Sequence, residues 1–231
     1  MFKSLLARLR APKATHGDAP QHQPYAAAHL NFLYNLLFCD NLELFRRGKG
    51  QGELWTTLLA DAPSESALRH TADDPAAESR VRALAYFRLR QLGHAVPPKI
   101  LLGVILEMPQ RGGLDTLAAY ADGRVRYINH CSAASIFEGG PLVVETLARE
   151  LILAAQPLVQ SIGPWDGPRP APPRGDAVRL NFLVSDGLYF GQGSFRQLYE
   201  DARGRTVLDK AAELQTAVVD AATKNHDRVS A

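Results

Sequence analysis

A chain of 231 residues with 46% hydrophobic composition can bury a substantial core, which excludes extensive disorder. Its 26 lysines and arginines nearly cancel 24 aspartates and glutamates, leaving a formal charge of +2 and no global attraction to nucleic acid or another polyanion. Two cysteines are too few for a disulfide framework, so a reducing, cytoplasmic setting is the expectation.

Residues 1–11 place Phe2, Leu5, Leu6 and Leu9 at helical spacing, with Lys3, Arg8 and Arg10 off that stripe. This suits a short basic amphipathic helix capable of peripheral membrane contact, although alone it is shorter than an isolated helix needs in water. Arg8 and Arg10 interrupt the apolar run before it reaches signal-peptide length, and no stretch approaches a transmembrane segment. Residues 1–24 read as a flexible tail. One integrated domain is expected over 25–225, helical in 25–95 and built of sheet and helices in 99–225, followed by a disordered tail at 226–231.

Within the helical section, Leu30, Leu33, Leu36 or Leu37, and then Leu44 recur at spacings that fit one helical face, and Glu53 to Ala60 reads as a further short helix. Asp74-Pro75 resembles a helix start and Gly93 a stop, with Val81, Leu84, Ala85, Leu89 and Leu92 as the buried stripe between them. Ile100 to Met108 is nearly continuous in branched apolar residues, as a central strand requires. Asp122-Gly123 between Leu117–Ala121 and Arg124–Ile128 signals one β-hairpin, and Asp186-Gly187 between Val178–Ser185 and Leu188–Phe190 signals another. Ser135–Glu138 adds a short strand. Pro141 to about Ile162 is the longest helix, with Pro157 expected to kink or end it, and Val207 to Thr223 is the last. The fold class that follows is α+β, a mostly antiparallel sheet of two hairpins and a central strand covered by two helices.

No residue pattern names a reaction, and no cofactor is implied. Cys39 and Cys131 with His29 and His130 lack the paired spacing of a zinc site, and adjacent His130 and Cys131 would point to opposite faces of a strand. An enzyme with an unfamiliar site built from Cys39, Asp40 and His130, or from the carboxylates Glu107, Asp115 and Glu138, is an alternative. Gly191, Gly193 and Ser194 precede a short helix through Glu200 that Ser194 can cap and that carries Arg196; backbone N–H groups there can hold a small anion, the basis of a ligand-sensor alternative. Arg80, Arg82, Arg88 and Arg90 with Arg124 and Arg126 offer a second anion-binding surface. Trp165 and Asp166 lie in a segment carrying Pro164, Pro168, Pro170, Pro172 and Pro173, which reads as an exposed linker. With Tyr189 they form the candidate partner-binding site. The leading expectation is therefore a non-catalytic interaction or regulatory module whose partner is another protein met at a sheet edge or the Trp165 loop, without nucleic-acid binding.

Overall fold

The long apolar run after Pro98 becomes β1 (Leu101–Gln110), and every other part of the molecule is arranged around it. A computed structural model describes residues 18–48 and 52–229, so the amphipathic segment at 1–11 lies outside the described residues. β2 (Gly113–Tyr120), β3 (Val125–Ile128) and β4 (Ala134–Phe137) return in succession on one side of β1, while β5 (Ala177–Val184) and β6 (Gly187–Ser194) lie on the other. The resulting sheet has the order β4-β3-β2-β1-β5-β6 with every pair antiparallel. β1 is interior because its residues are buried on both faces, the condition that its unalternating sequence meets.

Side-chain alternation divides the sheet into two cores. Val104 and Leu106 of β1, Leu117 and Ala119 of β2 and Leu180 and Phe182 of β5 face two long helices, α6 (Leu142–Ser161) and α8 (Ala202–Val229), which follow β4 and the short α7 (Phe195–Glu200) respectively. Ile105, Leu114, Ala118, Tyr120 and Leu183 face the N-terminal helices. These are α1 (Ala28–Leu36), α2 (Leu42–Arg47), α3 (Glu53–Leu59), α4 (Glu65–Asp73) and α5 (Ser79–Gln91). Each fully buried leucine or aromatic side chain in these layers contributes about 1.5–3 kcal/mol relative to exposure. No helix among the described residues is long and apolar enough to cross a membrane.

Several local expectations change. Asp74 does not start a helix: its carboxylate accepts from the Ala76 N–H at 2.9 Å in a turn, and α5 begins only at Ser79. Leu92 is exposed, because α5 ends before it and the chain turns away at Gly93. α6 continues through Pro157 to Ser161; the carbonyl that the proline leaves without a helical donor belongs to exposed Leu153, where water can reach it. Gly191 and Gly193 lie inside β6 instead of punctuating its exit, and Val184 opposite Gly187 makes Ser185-Asp186 the two-residue connection. Residues 18–24 are held against the body, with Ala19 N–H on the Asp40 carbonyl at 2.8 Å and His22 N–H on Asn35 Oδ1 at 2.9 Å.

The four arginines of α5 are staples. Arg80 donates to the Leu36 carbonyl at 3.2 Å, Arg82 to Ala72 at 2.9 Å, Arg88 to Ala60 at 2.6 Å and Arg90 to Ser185. Those carbonyls lie at the end of α1, within the last turn of α4, at the end of α3 and in the β5–β6 connection, where helix-end carbonyls need donors from outside. Their guanidinium groups are thus committed inward, which removes them from an anion-binding surface.

Candidate functional site at the free edge of the sheet

The proline-rich segment is a strap, not a free linker. Arg169 and Pro173 are buried, and the strap runs beside β6, with Trp165 N–H on the Leu188 carbonyl at 2.7 Å and the indole edge-on to Phe190 at 5.3 Å. The indole Nε1–H donates to the Pro168 carbonyl at 2.9 Å, so Trp165 is half-buried with its polar atom satisfied within its own loop. Asp166 is exposed beside it. Tyr189 is fully buried, its hydroxyl on Asp186 at 2.9 Å, and belongs to the core facing α6 and α8.

At the end of β6, Ser194 and Gln197 form a reciprocal capping box: Gln197 Oε1 accepts the Ser194 N–H at 2.9 Å, and Ser194 Oγ accepts the Gln197 N–H at 3.3 Å. Gly191 is buried, and a Cβ on Gly193 would lie 3.1 Å from Gln197 Oε1. The N–H groups of Ser194 and Gln197 are therefore taken within the chain, while Arg196 remains exposed.

Cys39 lies far from the imidazole of His130, whereas exposed Cys131 follows His130 in the turn between β3 and β4, not on a strand. Cys39 is enclosed by the N-terminal helices, and burial pushes its thiol up to about 11, so it stays protonated and unreactive. His130 packs at the other end of β2, where its ring Nδ1 lies 2.9 Å from Asp115 Oδ1 and its backbone N–H donates to the same oxygen at 2.7 Å. Tyr120, whose hydroxyl donates to the Leu37 carbonyl near Cys39, is seven residues along β2 from Gly113, which abuts His130; this corresponds to roughly 24 Å. His29 is exposed on α1. Glu107 is interior, and Glu138 is paired with Arg124 and Arg126. No group of three or more His, Cys, Asp or Glu able to hold a metal occurs among the described residues. Alkylation by iodoacetamide at mildly alkaline pH is expected to label exposed Cys131 alone in the folded protein, with Cys39 labelled only after denaturation; mass spectrometry of the two cysteine peptides distinguishes these outcomes.

The feature left open is β4. At the opposite edge the strap meets the start of β6, with Trp165 N–H on the Leu188 carbonyl and Pro164 against Gly187, whereas β4 pairs with β3 alone. Asn129 N–H donates to the Ala133 carbonyl at 2.9 Å, which makes alternate pairs, Tyr127 with Ser135 and Val125 with Phe137, the hydrogen-bonded ones. By that alternation the N–H and C=O groups of Ala134 and Ile136 point out of the sheet. Ile136 is 51% exposed, and Leu142 and Val143 at the start of α6 are 75% and 55% exposed. Between β4, the Gly139–Pro141 connection and Ala222 of α8 opens a cleft of about 480 Å³.

α8 forms one wall and extends beyond it. Its Gln215 side chain donates to the Tyr127 hydroxyl on β3 at 3.0 Å, and Ala222 stands at the cleft beside β4, so the helix crosses the sheet toward this edge. Seven further residues run to Val229, about 10 Å of helix. This edge carried little sequence signal: β4 is four residues long, and its openness depends on which strands find partners. No protein-family model, curated protein or solved structure matches the chain.

Proposed function

We propose that the chain is a cytoplasmic protein-interaction module that receives an extended segment of another protein along β4. The observation that carries this reading is the unpaired, apolar edge at Ala134 and Ile136 beside a cleft and beneath an overhanging helix. A strand added there gains backbone hydrogen bonds from the two outward residues, while alternate side chains enter the cleft against Ser135, Phe137 and Ala222. Uncovered edges of this kind usually carry a blunting charge or proline, and β4 has neither within its four residues.

An extended occupant fits better than a second copy joined β4 to β4. Each copy brings its own α8 over the same face, and that helix runs on for seven residues past Ala222. A lone strand or hairpin has no such helix to accommodate.

The test uses Ile136→Pro, which removes an outward N–H without taking a donor from the β3–β4 ladder. Peptides selected from a random display library on the natural chain should be short segments of alternating apolar residues, bind with micromolar affinity by fluorescence anisotropy, and lose at least about tenfold on Ile136→Pro. Hydrogen exchange should slow at Ala134 and Ile136 when peptide is bound. Selected peptides that bind the variant equally, or leave those two amides unprotected, overturn the proposal.

A further inference from the structure

We propose that the end of the sheet around α7 is a second docking surface, separate from β4, for an acidic segment carrying an apolar side chain. Phe195 and Tyr199 are 48% and 37% exposed and stack at 5.5 Å with 17° between their planes. They occupy positions i and i+4 of α7, so the helix holds them as one rigid apolar plate while Leu198 faces the core. Arg205 covers the Tyr199 ring at 5.0 Å and donates through Nε to the Tyr199 carbonyl at 3.0 Å, which fixes its guanidinium with the remaining N–H groups free.

Sheet geometry brings more arginines to this end. Glu107 opposite Arg179 and Ala177 opposite Ser194 place the β1–β2 turn, the start of β5 and the start of α7 side by side. Arg111, Arg174, Arg196, Arg203 and Arg205 are exposed there, and among the described residues none has a carboxylate within salt-bridge distance. The acids at the same end are Asp115, Asp176, Glu200 and Asp201. Asp115 serves His130, and Asp201 Oδ1 accepts the Arg203 and Gly204 N–H groups at 3.0 Å. Guanidinium groups around an exposed aromatic plate complement carboxylates flanking an apolar anchor. The interleaved Asp176 and Glu200 oppose the continuous charge of a nucleic-acid backbone, whereas separated carboxylates can avoid them.

The probe is a short fluorescein-labelled peptide of glutamate and aspartate around a central leucine-phenylalanine pair. It should bind the full chain, weaken at least about tenfold on Phe195→Ser and again on Arg196→Glu with Arg203→Glu, and weaken with added salt. The same peptide lacking its apolar pair should bind at least about tenfold less tightly. Circular dichroism must show the variants folded; Phe195→Tyr, which keeps the plate, should retain binding if Phe195→Ser does not fold. Ile136→Pro should leave this binding unchanged, which separates its outcome from that at β4. Absence of peptide binding, insensitivity to these folded variants, or tighter binding of a single-stranded thymidine oligonucleotide each overturns the proposal.

Discussion

Glu107→Leu is expected to lower the unfolding free energy by about 3–5 kcal/mol, the usual cost of stranding one member of a buried charged pair. Glu107 is fully buried between β1 and the N-terminal helices. It accepts from the Tyr34 hydroxyl at 2.6 Å and the Asn181 amide at 2.8 Å, with Arg179 Nη1 at 3.4 Å. Burial pushes the Tyr34 hydroxyl well above its ordinary range, so it remains a donor. Without the carboxylate, two donors and a guanidinium lose their acceptor inside the protein. Arg179 keeps the Ala171 carbonyl at 2.8 Å and Gln192 Oε1 at 2.8 Å, which holds the loss within that range. Glu107→Gln should cost less, and adding Arg179→Met to Glu107→Leu should restore part of the stability, because apolar replacement of both partners removes the stranded charge. Urea unfolding followed by circular dichroism measures all three variants. A loss below about 1 kcal/mol for Glu107→Leu contradicts the assigned network.

Arg169→Met should have a comparable effect of about 3–5 kcal/mol, concentrated on the strap. The buried guanidinium stacks on the Phe38 ring at 4.1 Å, pairs with Asp40 at 2.8 Å, and donates to Asn35 Oδ1 at 2.9 Å and the Pro20 carbonyl at 3.0 Å. One side chain thus joins the strap to α1, its following turn and residues 18–24. Burial raises the Asp40 carboxyl above its ordinary value, and Arg169 opposes that rise. Its loss therefore lifts the Asp40 pKa further in the folded state. A carboxyl with a folded pKa above its unfolded value binds more protons when folded, so stability grows as pH falls through the folded pKa. The deficit of Arg169→Met should accordingly shrink as pH is lowered from neutral, and Asp40→Asn in the same chain should relieve it. Chemical denaturation across pH tests this; a deficit that widens on acidification excludes Asp40 as the stranded group.

The antiparallel sheet and its covering helices were legible because their signals are local. Branched residues filling Ile100–Met108 demand burial on both faces, and Asp122-Gly123 lies in the turn between β2 and β3, whereas at the second hairpin the turn falls one residue earlier, on Ser185-Asp186. α4 went unread, since its nine residues carry a single large apolar side chain, Leu68, and bury beside it only Thr71 and Ala72. The arginines of α5 read as a charged face because sequence does not reveal which carbonyls lie within reach. Tyr189 read as a partner contact because alternation shows that neighbouring side chains face opposite ways without showing that both sheet faces are covered.

By itself the sequence determined the antiparallel strands, the principal helices and the capped start of α7, all set by contacts within a few residues or by periodic burial. Tertiary structure decided the rest: that Arg169 and Glu107 enter the interior, that the proline-rich strap lines one edge, and that β4 is left open beneath α8. Those features join residues up to 149 positions apart, and their energy comes from desolvation and charge pairing that arise only when distant segments meet.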